Sequence, residues 1–325
     1  MKTSHPLLDR PRPEAHRTRN WDRSPYQLDA DPTMQQLAHG HWVHDPLTPT
    51  HDDVAPLPAW QRAALMQPTL GPDVAVAHIS AAQIWGIPLS AGMRWVDELL
   101  GEYPPSKFPD DVPHLAYRGA RRNQVTRSFA MHKSFGFPLS TGPWGCQLTH
   151  ALETVLSLQA LLAGWRCVAA LDHVLSTGLN YANPGEPCSQ EELARLLTRL
   201  PAGTRGIAVV RRALERSEPG VWSPMETVLR LALLHHGIPP AQANVSVRLT
   251  RGGRVFIDLA WADVKVGLEY NGAVHAQDRD VYGDEMDRLN QLADDGWKIR
   301  VVVLEDLRDP QRFAALLRWL KAALA

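Results

Sequence analysis

The stretch RVFIDLAWADVKVGLEYNGAVH, residues 254–275, decides the fold. Val255, Ile257, Leu259 and Trp261 alternate with Phe256, Asp258 and Ala260, the period of two that marks a strand. A Gly252, Gly253 turn joins it to a preceding strand over Asn244 to Leu249, and Val264 to Tyr270 reads as a third strand. Upstream, Ser223 as N-cap, Pro224 at the first helical position and Glu226 at the third open a helix that Gly237 stops. Downstream, Arg279 to Asp295 reads as an amphipathic helix ended by Gly296, Lys298 to Leu304 as a buried strand and Asp309 to Leu324 as a closing helix. This order predicts an α+β protein whose last domain, residues 221–325, is a small mixed sheet flanked by helices.

Three carboxylates in this pattern stand where they could converge: Glu226 on the first helix, Asp258 in the second strand and Glu269 at the end of the third. Asp258 interrupts an apolar strand, and a buried carboxylate without partners is costly, which favours a site role. Glu226 is explained equally well as the partner of Ser223 in a capping box. Mg²⁺ takes oxygen ligands and commonly one or two carboxylates, so Asp258 and Glu269 are the candidate ligand pair, with Mn²⁺ as a substitute ion. Such an ion would polarise a phosphorus centre and lower the pKa of bound water. His275 fits a general acid or phosphate donor, or a surface loop histidine. Asn271, beside Gly272, reads as a turn or supporting residue. Arg288, close behind Glu285 and Asp287, reads as a solvated helix ion pair or a phosphate contact.

The runs FIDLAW, VGLEYNGAVH and DEMDRLNQLADDGWKIRVV resemble the very-short-patch-repair-like endonucleases of the PD-(D/E)XK superfamily, over about the last hundred residues. The resemblance implies a restriction-endonuclease-like sheet and DNA phosphodiester hydrolysis with Mg²⁺. It places Glu226, Asp258, Glu269 and His275 at the helix acid, the two strand acids and the downstream histidine. The superfamily's lysine position holds Asn271 here. Residues 58–220, with AHISAAQIWGIPL, ALETVLSLQALL and VAALDHVL, are similar to AbiEi-type antitoxin and regulator proteins, and LAHGHWVHDP resembles the final wing of the winged helix that opens such relatives. A toxin or other protein partner, or a regulator without turnover, is what that second likeness implies.

The segment 58–220 reads from its own pattern as a mixed α/β domain, with helices over Ala151 to Leu162, Cys167 to Leu175 and, behind Ser189 and Glu192, Gln190 to Leu200. Within it, Val112 to Leu152 contains Arg118, Arg121, Arg122, Arg127 and Lys133 and no Asp or Glu. Cations interleaved with Tyr117, Phe129 and Phe135 suit phosphate contact and base stacking, so these five are the candidate DNA-binding residues, with a solvated edge as the plain alternative. Residues 1–57 carry eight of the 26 prolines and no sustained apolar period, and read as a loosely ordered leader, a remnant of a winged helix. His39, His41 and His44 lie at metal-like spacing there, but Met34 to Ala38 is polar, which favours the non-metal reading.

Composition bounds the rest. The 325 residues suit two domains, and a hydrophobic share of 44% with a charged share of 21% is that of a globular chain. Lys+Arg 34 against Asp+Glu 35 gives a net charge of -1, so DNA must be met by a local patch, and residues 221–325 are themselves near neutral. Cys146, Cys167 and Cys188 form no CxxC pair, which argues against a disulfide framework and for a cytoplasmic location. No apolar run is long enough to span a bilayer.

Overall fold

The computed structural model describes residues 15–20, 22–44, 57–90, 93–102, 111–119, 124–126, 128–179, 187–272 and 279–325. Over these residues the chain is α+β, with helices packed against three separate sheets. The first comprises β1 (Ala15–Arg17), β2 (Met34–Ala38) and β3 (His41–His44) in the order β1-β3-β2, with the helix α1 (Pro25–Asp29) between β1 and β2. The segment expected to be loosely ordered therefore contains a three-stranded antiparallel sheet over residues 15–44. Ser24 and Gln27 cap α1 reciprocally, and Gly40 supplies the left-handed φ of +76° beside the β2 to β3 turn. Although Met34–Ala38 is polar in composition, Met34 packs with Leu28 and Trp42, and Leu37 and Val43 join the main core.

The middle segment follows as α2 (Ala59–Leu70), β4 (Val74–Val76), α3 (His78–Trp85), α4 (Arg94–Leu100), β5 (His114–Tyr117), β6 (Gln124–Val125), β7 (Ala130–Lys133), β8 (Ser140–Thr141) and β9 (Gln147–Leu148). It then continues as α5 (Ala151–Ser157), α6 (Trp165–Thr177), α7 (Gln190–Thr198) and α8 (Ile207–Leu214). Its strands form a mixed sheet of order β6-β7-β5-β4-β9-β8, with β5 parallel to β7 and β4 parallel to β9. The helix expected over Ala151 to Leu162 ends at Ser157, because the chain turns through Leu158 to Leu162 before Gly164 admits a φ of +61° at the start of α6. Asp97 of α4 ties α6 down by accepting Trp165 Nε1 at 3.0 Å and Arg166 Nη2 at 3.0 Å, with both charged side chains at most 4% exposed.

The last segment is α9 (Pro224–His235), β10 (Gln242–Arg248), β11 (Arg254–Trp261), β12 (Val266–Tyr270), α10 (Arg279–Asp294), β13 (Lys298–Val302), α11 (Leu304–Arg308) and α12 (Pro310–Leu324). Its four strands lie in sequence order, two antiparallel pairings followed by a parallel β12 to β13 pairing with α10 as the crossover. Lys298–Val302 is only partly buried along most of its length, in place of the buried strand that its apolar run predicts. One apolar cluster runs without a break from Leu37 to Leu320, so the core crosses the boundary expected at residue 220. Helix α9 makes that join: Val228, Leu229, Ala232 and Leu233 are buried, each large aliphatic worth roughly 1.5–3 kcal/mol of transfer free energy.

Gly267 in β12 marks the tightest point of this sheet. A β-carbon there would stand 2.7 Å from Ile257 Cγ2 and 2.7 Å from Ile299 Cδ1. Gly267→Ala is therefore expected to destabilise by about 1–3 kcal/mol through overpacking, read as a lower denaturation midpoint with an unchanged m-value. No change in the midpoint would show that the two isoleucines yield without cost.

Candidate functional site

Ser223 starts α9 as expected, its Oγ accepting the Glu226 N–H at 3.2 Å. The reciprocal half of the expected capping box, a bond from the Ser223 backbone N–H, is not formed: the Glu226 carboxylate meets Ser223 through its side chain alone. Its Oε2 instead accepts Trp222 N at 3.0 Å and Asn244 Nδ2 at 2.8 Å. Asn244 lies in β10 between the pairs Ala243↔Leu259 and Val245↔Ile257, which sets it opposite Asp258, and it holds a left-handed φ of +47°. A short amide side chain is among the few that tolerate this backbone. The twist lets Nδ2 reach both Glu226 and the Gly220 carbonyl, at 2.6 Å. Sequence reasoning passed over Asn244, because nothing in its neighbours announces the positive φ.

Pairing between β11 and β12 ends at Leu259↔Leu268. Beyond it Tyr270 N donates to Asp258 Oδ2 at 2.7 Å, so the aspartate side chain takes the place of the next ladder bond where the strands part. Glu269 lies near the end of β12, the third strand, as expected, and pairs with Val301 of β13. It forms an ion pair with Arg288 of α10, whose Nη1 also donates to the Phe256 carbonyl at 3.2 Å. Arg288 thus serves the sheet, while the side chain of Glu285, one of the acids that precede it, lies outside the described residues. Asn271 continues the parallel ladder through its N–H to Val302 O at 2.9 Å.

Electrostatics links these groups. Burial raises Asp258 above the ordinary carboxylate range, opposed by the Tyr270 N–H and the Arg288 charge. Burial also raises Glu226, the Trp222 N–H opposes it, and the negative charge of Asp258 raises it further. Glu226 and Asp258 therefore feel each other as like charges, while Arg288 counters Asp258 and pairs with Glu269. Trp222 and Phe256, 61% and 41% exposed, stand over this edge with ring centroids 5.3 Å apart. The Trp222 N–H donates to Glu226 and the Phe256 carbonyl accepts from Arg288, which ties the backbones of both aromatic residues to the site.

The arrangement brings together Glu226, Asp258, Glu269 and Arg288. His275, Arg121, Arg122 and Arg127 lie outside the described residues. Arg118 and Lys133 belong to the middle sheet and not to the acidic edge, Arg118 directly after β5 and Lys133 at the end of β7. The basic segment does meet an acid: Glu153, just past its end, is buried against the Phe135 and Phe137 N–H groups and the Ser134 hydroxyl, and the Arg118 charge lowers its pKa against the upward push of burial.

No family model matches the chain, and no solved structure matches it. The chain is similar to an uncharacterized protein found in two strains of Mycobacterium tuberculosis, 29% identical over 130 residues. That stretch is 39% of this chain and spans about half, 47%, of the relative.

Proposed function

We propose that the protein hydrolyses phosphodiester bonds of nucleic acid at the edge where β11 and β12 part, with a divalent cation held by Asp258 and Glu269. The observation that carries the reading is the meeting of a helix acid and a strand acid as buried like charges beside a third acid and an arginine. The donor set fits Mg²⁺ in kind, because it offers hard carboxylate oxygens and neither thiolate nor imidazole among the described groups. Bound there, the ion would supply a polarised phosphoryl group and a water of lowered pKa. Glu226, fixed through Trp222 and Asn244, carries the additional negative charge. Arg288 is placed to neutralise charge on a phosphate once Glu269 turns to a metal. Trp222 and Phe256 offer faces on which bases stack, worth about 1–3 kcal/mol per base.

The test is nicking of plasmid by the full chain with Mg²⁺ or Mn²⁺. Asp258→Ala is expected to cost at least about a hundredfold in rate, the scale of losing an electrostatic group of the site. Glu226→Gln is expected to fold as the parent, since one carbonyl oxygen can still accept both the Trp222 and Asn244 donors, yet to cleave poorly because the charge is gone. Undiminished cleavage by Asp258→Ala would overturn the reading.

A second reading is favoured by the Arg288 to Glu269 ion pair together with Asn271 in the lysine position of the resembling superfamily. An arginine that already satisfies the second acid suits a fold that recognises nucleic acid, or a toxin, without turnover. Binding of DNA with no cleavage of single-stranded, double-stranded or mismatched forms under either metal would select it.

A further inference from the structure

Away from the acidic edge, the middle sheet gathers three histidines that no spacing in the sequence announces. His78 opens α3 directly after β4, His114 opens β5 and His132 lies in β7, and these three strands are neighbours in the order β7-β5-β4. One ligand-type nitrogen from each ring lies within 4.8 Å of the others, and His114 Nδ1 stands 2.8 Å from His132 Nε2. The rings stack nearly parallel, with centroids 4.2 to 5.1 Å apart.

Three observations set the cluster apart from histidines that merely fill a core. His114 is 2% exposed and its Nε2 has no hydrogen-bond partner, nor has the buried Nδ1 of His78. A buried ring nitrogen without a partner is costly, and a bound ion is one way to relieve it. His78 also holds a φ of +53°, a strained value for a residue with a β-carbon, while its ring stacks on the other two. Finally, burial depresses all three to about 2, 3 and 4 for His78, His114 and His132, so each ring is neutral near pH 7 and offers a lone pair.

We propose that His78, His114 and His132 form a binding site for a borderline transition-metal ion, Zn²⁺. Three imidazoles with no carboxylate suit Zn²⁺ and its neighbours in the first transition series, and not Mg²⁺. Tetrahedral Zn–N bonds of 2.0–2.1 Å set ligand nitrogens about 3.3 Å apart, so the rings fan out modestly on binding: the 2.8 Å contact lengthens and the widest separation closes. Three protein ligands leave a fourth position, the arrangement of catalytic rather than closed structural zinc sites. His132 also lines a cavity of about 630 Å³ with Ser134, Ser157, Thr204 and Arg205, which gives that position a route to solvent and to a small ligand.

The inference is independent of the acidic edge, and its test does not use nuclease activity. The full chain, stripped with EDTA, is titrated with Co²⁺, Zn²⁺ and Mg²⁺. One equivalent of Co²⁺ is expected to give the visible absorption of a four-coordinate nitrogen site, Zn²⁺ to displace it and raise the melting temperature, and Mg²⁺ to do neither. His132→Gln and His78→Asn, the second chosen because asparagine tolerates a positive φ, are each expected to weaken Co²⁺ binding at least about a hundredfold. Circular dichroism identifies a variant that fails to fold, in which case the other decides. Absence of Co²⁺ binding by the parent, or binding of unchanged strength in a folded variant, would overturn the proposal.

Discussion

Asp172→Ala is expected to destabilise the protein by about 3–5 kcal/mol, a large fraction of the 5–15 kcal/mol by which a domain is ordinarily stable. Asp172 lies on α6, 1% exposed, and its Oδ2 accepts Arg230 Nη2 at 2.9 Å and the Thr227 hydroxyl at 2.8 Å, both from α9. Its Oδ1 accepts Glu218 N at 2.7 Å. Removing the carboxylate leaves Arg230, 4% exposed, buried with the Arg216 carbonyl as its remaining acceptor among these bonds. The penalty is chiefly that stranded charge, and not the worth of the pair. A double replacement, Asp172→Leu with Arg230→Met, is accordingly expected to recover most of the loss, because it removes both charges from the core. Urea unfolding measures all three; a loss below about 1 kcal/mol in the single variant would show that water reaches Arg230 and that the pair is not buried in effect. The same contacts bear on function, since Thr227 and Arg230 fix the rotation of the helix that carries Glu226.

How much of this was legible beforehand differs between the two halves of the site. The strand alternation around Asp258, the turn at Gly252 and Gly253, and the cap at Ser223 are local patterns, and each element they announced is present within a few residues of its expected ends. What the local pattern could not carry were the partners. Glu226 and Ser223 satisfy the spacing of a capping box, yet the carboxylate serves Trp222 and Asn244, because a strand 18 residues on bends toward it. Arg288 follows two acids closely in sequence and pairs with one 19 residues away. The histidines of the middle sheet were invisible for the same reason: His78, His114 and His132 are joined only by strand order, and two of them are made interesting by an unpartnered atom and a backbone angle, neither of which is written in residue type. The order in residues 15–44 was missed differently, by averaging composition over a proline-rich leader in which a few apolar side chains set the register.

Mg²⁺ at about a hundred times its Kd is expected to stabilise the protein by about 2.7 kcal/mol near neutral pH, and by progressively less as the pH falls. Burial raises Glu226 and Asp258 above their ordinary values of 4.5 and 3.8, and the Asp258 charge adds to the rise at Glu226. Acids that hold protons more tightly folded than unfolded favour the folded state at low pH. That advantage is lost as pH rises from the ordinary values through the raised ones. Above the raised values both groups are anions in a partly desolvated edge, and a divalent cation relieves the repulsion by binding only the ionised forms. The gain in melting temperature on adding Mg²⁺ should therefore be largest above the raised pKa values and shrink as pH drops through them. It should be smaller at every pH in Asp258→Ala, which lacks a ligand, and in Glu226→Gln, which lacks the repulsion. Arg288→Ala moves the other way: with no guanidinium on Glu269, the cation no longer competes with Arg288 for that carboxylate and its stabilising effect grows. Thermal unfolding from about pH 5 to about pH 8, with and without Mg²⁺, separates these outcomes. Equal gains in the parent and in Asp258→Ala near neutral pH would remove the metal from Asp258, whatever the nuclease assay returns.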